Sequence, residues 1–371
     1  MKIALLLPTS DMFPTLGRDF LKGFKLASKQ NGQNFEIIIE SIGKASDDDV
    51  LKMADKLLLQ EAVELTISFC GIFQLEELVT KFSQYKSPLL FVDLGGSLPK
   101  KVHFNPYVLH HSLHLCNSAY TAGQFAAERI GKKGALVSSF YDGGYQLAAS
   151  FVVGFTDNGG EIVYNYVGPM EYKTADYESM LVNLIESGAE VAFTLFSYKE
   201  AQYFLNVASK VPKKEVLQFM ALPLMTDESM EYDDYGLSNM RSVASWSFSE
   251  ETDSMQSFLN DYKNTYSTNP NIFSLLGFET SLLASHANTG GKIEFDQITG
   301  TAIDGSPRGQ LIVNQNNQTE IEAHLLRKFE YNGETYQNTI TNKLKAVEGQ
   351  NLVERFEEIP YTGWKNPYIC T

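Results

Sequence analysis

Cysteine is scarce in this sequence. Cys70, Cys116 and Cys370 are its only three, far apart and odd in number, so they supply neither metal-ligand spacing nor a disulfide framework. At most one bridge can form, and small buried or terminal thiols account for them equally well. Basic clusters are missing too. The net charge is −15 and the pI about 4.9, and the densest cationic spots are pairs such as Lys100-Lys101, Lys132-Lys133 and Lys213-Lys214. Nucleic acid and anionic membrane surfaces both need a concentrated cationic footprint, so neither is expected as a partner. No run approaches the ~18 apolar residues that span a bilayer. The opening KIALLLP runs straight into TSDMFP, without the longer apolar region and small-residue site of a signal peptide. That leaves a cytoplasmic protein, or an exported one in its mature form.

Catalytic signatures are also lacking. No GxGxxG follows a strand, and no GxxxxGK[ST] occurs, since Gly290-Gly291-Lys292 is followed by Ile293. There is no GxSxG elbow, no HExxH and no kinase set. Glu76-Glu77 and Glu250-Glu251 sit in polar stretches and read as solvated faces. The segment VLHHSLHLC holds His110, His111, His114 and Cys116. In an extended chain His110, Ser112, His114 and Cys116 share one face and His111 takes the other. Zinc would need further ligands from elsewhere, and no second pair lies nearby. The expectation is therefore no enzyme, no cofactor and no metal.

What the chain does contain is alternation. Hydrophobic residues make up 43% and charged residues 20%, a globular balance, and 371 residues suggest two domains. Lys2 to Leu7 reads as a strand buried on both faces, ended by Pro8. Leu16, Phe20, Phe24 and Ala27 then fall on one helical face. A strand from Phe35 to Ile42 leads to Ser46, an N-cap whose following Asp47, Asp48 and Asp49 complement the helix dipole. Strands at 65–70 and 89–93 flank a helix at 73–85. After a helix at 118–130 the rhythm restarts, with strands at 135–140, 162–167, 191–196 and 216–222 and helices at 145–158, 177–186 and 199–209. Two such runs imply two parallel-sheet units covered on both faces. The last third breaks the pattern, with helices at 255–266 and 272–287, strands at 311–313 and 326–331, and an irregular tail from Gly349. A long segment after two complete α/β units suggests a return to the first, and hence a hinge.

One connector stands out. FYDGGYQ, residues 140–146, puts Asp142, Gly143, Gly144 and Tyr145 between a buried strand and an apolar helix. Open α/β sheets present ligand contacts at the carboxyl ends of strands. The glycines allow close backbone approach, and Tyr145 offers an apolar ring with one polar tip.

The arrangement resembles the type I periplasmic binding proteins, in their leucine/isoleucine/valine-binding branch. KIALLLPTS, TLGRDFLKGFKLASKQNG, SFCGIF, FVDLGGSLP, NSAYTAGQFAAERIG, the D-x-x-Y of FYDGGYQ and TGTAIDGSPRGQLIVNQNNQ carry the resemblance, in that order, over about the first 330 residues. It implies an α/β fold of two doubly wound parallel-sheet lobes joined by a multi-strand hinge, a Venus flytrap. Lobe one would take residues 1–117 and about 252–325, lobe two about 132–250, and 326–371 would form a crossing and tail. The implied role is capture of a small solute, amino-acid-like or otherwise partly apolar, and delivery to ABC permease components. The alternative is a ligand-sensing domain of the same fold. A Rossmann-type enzyme is the rival that the missing nucleotide fingerprint opposes. The resemblance also implies a periplasmic or cell-surface lipoprotein location after loss of a signal peptide, in preference to the cytoplasm.

Carried over residue by residue, the family's ligand contacts fall on Leu16 in the first loop, Gly71 and Ile72 after the third strand, and Gly96 and Ser97 after the fourth. In the second lobe they fall on Tyr145, on Phe196 and Tyr198 after VAFTLF, and on Leu222 with Asp227 after VLQFMAL. Amino-acid binders place an acid for the ammonium directly after that strand, where this chain has Pro223. Asp227 is the nearest acid. A desolvated ammonium without a carboxylate costs several kcal/mol, which argues against a free amino acid but not against the trap. If the histidine segment holds no metal, EDTA leaves the thermal midpoint unchanged; a large drop on chelation would reverse that reading.

Overall fold

The computed structural model describes residues 1–100, 104–210, 217–230, 232, 240–347, 349–357, 361 and 363–370. Lys101, Lys213, Lys214 and the expected strand start at Val216 lie outside them.

In the first lobe β1 (Lys2–Leu7), α1 (Leu16–Gln30), β2 (Glu36–Ser41), α2 (Asp47–Gln60), β3 (Leu65–Phe69), α3 (Leu75–Tyr85), β4 (Leu89–Asp93) and β5 (Val108–Ser112) alternate as the apolar runs predict. The strands lie in the order β2-β1-β3-β4-β5, all parallel. Every residue of β3 and β4 is buried, as in a sheet covered on both faces. The edge strand β2 keeps Glu36, Ile39 and Ser41 exposed. Ser46 caps α2 by accepting the Asp49 N–H, as its place before three aspartates predicts.

The chain then crosses into α4 (Leu115–Arg129), β6 (Lys133–Ser138), α5 (Leu147–Asp157), β7 (Glu161–Val167), α6 (Thr174–Glu186), β8 (Val191–Leu195), α7 (Lys199–Lys210), β9 (Gln218–Ala221) and β10 (Met240–Ala244). It crosses back for α8 (Asp253–Tyr266) and α9 (Ile272–His286), and α9 packs along α1. A small antiparallel sheet of β11 (Ala302–Ile303), β12 (Leu311–Val313) and β13 (Thr319–Ile321) precedes the third crossing. Finally β14 (Ala323–Tyr331) and β15 (Tyr336–Lys345) extend the second sheet, whose order is β15-β14-β10-β9-β8-β6-β7. β14 runs antiparallel to β10, and β15 antiparallel to β14. The architecture is thus α/β with two sheet lobes. No described helix is long and apolar enough to cross a membrane.

The end of the chain departs from the reading above. The stretch from Gly349 opens with α10 (Gly349–Phe356) rather than irregular coil, and β10 and β15 have no counterpart in the expected strands. Their burial comes from neighbouring strands rather than from apolar runs of their own: β15 reads TITNKLK over much of its length and is exposed at most of those positions. The histidine segment also differs. β5 stops at Ser112, His114 takes a left-handed φ of 56° and Cys116 lies inside α4, so these residues share no strand face. Among the described residues, no group of three or more His, Cys, Asp and Glu is placed to hold a metal.

Two of the three crossings meet one buried ion pair. Glu279 of α9 is fully buried and receives Arg308, with Nη2 at 2.6 Å from Oε2 and Nε at 2.9 Å from Oε1. Ser306 Oγ donates to the same carboxylate at 2.6 Å, and His111 Nε2 lies 3.3 Å away. Arg308 also donates to the carbonyl of Ser112 at the first crossing and to Ser245 Oγ at the second. Ser245 in turn donates to the carbonyl of Leu113 at 2.7 Å. Burial by itself would raise the Glu279 pKa, but Arg308 and His111 hold it well below the usual carboxylate range. Glu279→Gln leaves the guanidinium buried without its counter-charge, so urea unfolding should show a loss of about 3–5 kcal/mol. The solvent-screened pair Lys292–Glu294 provides the contrast, where Glu294→Gln should leave the urea midpoint nearly unchanged. Equal effects at the two sites would remove Glu279 from its place in the hinge.

Candidate functional site

The strand ends of the two lobes face each other, and the lobes are closed. The Gln146 N–H donates to the carbonyl of Gly96 at 3.1 Å, and the Leu98 N–H donates to Gln146 Oε1 at 2.7 Å. Phe13, in the loop after β1, sets its ring 5.3 Å from that of Tyr198.

On the second lobe the centre is Asp142, fully buried in the turn after β6. Its carboxylate accepts Ser139 Oγ at 2.8 Å, the Ser197 N–H at 2.9 Å and Ser197 Oγ at 2.6 Å. One side chain thereby fastens the turn after β6 to the turn after β8. Burial pushes the Asp142 carboxyl up, against the pull of these donors. Glu200, in the first turn of α7, is pushed up to about 7 by burial and by the Asp142 charge. Tyr145 is 5% exposed, shares a 2.7 Å hydrogen bond with the Tyr141 hydroxyl and stands edge-on at 5.3 Å to its ring.

Tyr198 holds a left-handed φ of 49°, which costs a bulky residue about 1–3 kcal/mol and is kept only where the surroundings over-determine it. Its hydroxyl donates to Asp227 Oδ2 at 3.5 Å, and Asp227 Oδ1 accepts the Ser229 N–H at 2.8 Å. Behind that loop sits the fully buried Arg327, which donates to Ser242 Oγ, Thr226 Oγ1 and the carbonyls of Pro223 and Trp246. The loop after β9 is therefore backed by a cation.

The space between the lobes is filled by Tyr361 and residues 363–370. The Tyr368 hydroxyl donates to Asp142 Oδ1 and lies 2.7 Å from Ser197 Oγ. Its ring is edge-on to Tyr145 at 4.7 Å, and the Tyr145 hydroxyl donates to the carbonyl of Pro367 at 3.4 Å. On the other side Tyr361 stacks on Phe73 at 4.5 Å, Ser97 Oγ reaches the Tyr361 hydroxyl at 3.5 Å, and Ser10 Oγ donates to the carbonyl of Ile369. Two glycines admit this segment. A Cβ on Gly71 would lie 2.3 Å from the Lys365 carbonyl oxygen, and one on Gly144 would lie 1.9 Å from Trp364 Nε1, both inside contact distance.

Of the residues carried over from the resemblance, Gly71, Gly96, Ser97 and Tyr145 come together around this segment, with Tyr198 and Asp227 forming one wall. Four lie elsewhere. Leu16 is in the core at the start of α1, and Phe13, three residues earlier, makes the cross-lobe ring contact instead. Phe196 belongs to the second lobe's own core, stacked on Phe204 at 4.7 Å, because successive residues leaving β8 point to opposite sides and Ser197 takes the cleft side. Leu222 is fully buried, with its N–H committed to the carbonyl of Thr194. Ile72 faces a side pocket of about 300 Å3 shared with Phe73, Leu98 and Gln318. The sequence reading missed Ser10, Phe13, Ser139, Ser197 and the segment of Tyr361 and residues 363–370. The one local signal for that segment is its aromatic density, Tyr361, Trp364 and Tyr368 within eight residues of polar and small neighbours.

Comparison with known proteins agrees with this geometry. The solute-binding protein of an ABC transporter from Rhodopseudomonas palustris, in complex with 3,4-dihydroxybenzoic acid, matches with TM-score 0.75 at 20% identity, over 95% of this chain and 99% of that one. An ABC transporter substrate-binding protein from Sphaerobacter thermophilus matches with TM-score 0.80 at 19% identity, over 93% and 98%. A leucine-binding protein from Thermotoga maritima gives TM-score 0.67 at 14% identity, over 93% and 99%. Among curated sequences, a Leu/Ile/Val-binding protein homologue of Brucella abortus is 23% identical over 198 residues, 52% of this chain, and the chain spans about half the length of that relative. The family model for periplasmic binding proteins matches residues 1–292. With most of the chain inside that match and the two-lobe fold on the page, the protein belongs to the periplasmic binding protein family.

Proposed function

We propose that this chain binds a small aromatic solute bearing a phenol-type hydroxyl in its interlobe cleft and delivers it to the permease of an ABC importer, without chemistry on the solute. One observation carries the ligand class. A phenol, that of Tyr368, already sits in the cleft with its hydroxyl on Asp142 and Ser197 and its ring against Tyr145. A free ring of that kind meets the same acceptors and the same edge-on contact, worth about 0.5–1.5 kcal/mol beyond its buried area. The dihydroxybenzoic acid and 4-hydroxybenzoate held by neighbours of the same fold are in keeping with this class.

The cleft gives little to a free aliphatic amino acid. Pro223 stands where an ammonium would need an acid, Asp227 is engaged by Tyr198 and Ser229, and the cation Arg327 lies behind. Calorimetry with 4-hydroxybenzoate, benzoate and leucine tests the class. The expected order of affinity is hydroxybenzoate, then benzoate, then leucine. Asp142→Asn should erase the hydroxyl's advantage, about tenfold for a hydrogen bond to a charged acceptor. Tyr145→Ala should weaken hydroxybenzoate some thirtyfold, about 2 kcal/mol. Submicromolar leucine binding would overturn the class.

The carboxylates beside the site also predict a pH dependence. Glu200 has its folded pKa raised to about 7 from an ordinary 4.5. The stability it contributes is complete below the lower value and is lost as pH rises through the upper one. Thermal midpoints of the wild type should therefore fall between these pH values more steeply than those of Glu200→Gln. Parallel curves would show that Glu200 is not held protonated by its surroundings.

A further inference from the structure

We infer that Tyr361 and residues 363–370 are a tethered occupant of the interlobe cleft: they bridge the closed lobes in the place a solute would take, and solute enters only as they leave. The second half of this inference rests on the solute-binding role proposed above. The segment buries Tyr368, Ile369 and Cys370 among apolar residues of both lobes and is fastened there by directed polar contacts. Among the described residues it pairs with no strand, and its polar contacts with each lobe are a few directed bonds. On the second lobe the Trp364 N–H and Nε1 donate to the carbonyls of Gly144 and Tyr141, and the Tyr141 hydroxyl accepts the Ile369 N–H at 2.9 Å. On the first lobe it has the Tyr361–Phe73 stack and the Ser10 bond to Ile369.

Two further features fit a removable occupant. Ile369 holds a φ of 72°, a left-handed conformation that a β-branched residue leaves at a gain. The preceding helix α10 lies against the hinge, where Gly349 and Val353 line a pocket of about 100 Å3 with His114 and Asn117. The segment is thus anchored at the axis of closure and can swing out without unpairing either sheet. Tethering by so short a connection presents the Tyr368 phenol to its site at an effective concentration on the order of millimolar. A solute must out-compete that, and its apparent affinity falls by the fraction of molecules whose cleft is empty.

Cys370, buried at the end of the segment, reports on its release, and Cys116, buried in α4, reports on unfolding. In the full chain, thiol labelling mapped by mass spectrometry should modify Cys370 slowly. Tyr368→Ala should speed that labelling about tenfold and tighten 4-hydroxybenzoate binding by a similar factor, with Cys116 unchanged, since the competing phenol is gone. Saturating 4-hydroxybenzoate should likewise expose Cys370 in the wild-type chain. Tyr368→Phe, which keeps the ring and loses only the bond to Asp142, should fall between. If Tyr368→Ala leaves Cys370 as protected as Cys116, the segment is a fixed part of the fold and the inference is wrong. Equal hydroxybenzoate affinity in wild type and Tyr368→Ala would refute the competition. If neither protein binds any of the three probes while Tyr368→Ala still unmasks Cys370, the proposed ligand class fails and the tethered occupant stands.

Discussion

The relation between the two lobes hangs on the buried pair of Glu279 and Arg308. A carboxylate and a guanidinium removed from water are costly unless each is fully engaged, and here both are. Ser306, Ser245, the Ser112 carbonyl and His111 surround them at hydrogen-bonding or near-contact distances. Because Arg308 touches residues of the first and second crossings and pairs with Glu279 of α9, separate chain passages are fixed to one point. Closure brings the strand ends into register, and Gln146 can reach Gly96 and Leu98.

Asp142 plays the corresponding part inside the cleft. A fully buried carboxylate has to be surrounded by donors, and Ser139 and Ser197 supply them from two different strand ends. The remaining acceptor capacity faces the opposite lobe, where the Tyr368 hydroxyl uses it. The same arrangement explains the aromatic walls. Tyr141, Tyr145 and Tyr368 pack edge-on or stacked within 6.0 Å of one another, so the apolar area needed to exclude water from the carboxylate comes from rings whose hydroxyls remain satisfied. Tyr198, held in a strained backbone conformation, closes the far side against Phe13.

How much of this was legible depends on the range of the forces involved. The run Lys2–Leu7, the α1 stripe of Leu16, Phe20, Phe24 and Ala27, and the Ser46 cap are local statements of burial and dipole, and the structure repeats them nearly residue for residue. The D-x-x-Y turn placed Tyr145 in the cleft for the same reason, since a strand end followed by glycines and a helix has few conformations open to it. β15 and α10 were missed because neither carries a self-sufficient apolar pattern; each is held by what it docks against. Phe196 reads as a cleft residue because it would share a face with Tyr198 in an extended chain, and the left-handed turn at Tyr198 breaks that alternation, leaving Phe196 in the core.

The sequence by itself determined the alternation of strands and helices, the division into two sheet lobes and the position of the Tyr145 turn. All of these follow from periodicity, composition and short-range geometry. Tertiary structure alone decided that Arg308 would meet Glu279, that Ser139 and Ser197 would converge on Asp142, and that Tyr361 and residues 363–370 would enter the cleft. Those are encounters between groups far apart in the chain, such as Asp142 and Tyr368. Their energy depends on the desolvated space the folded lobes create, and no pattern of neighbouring residues encodes that space.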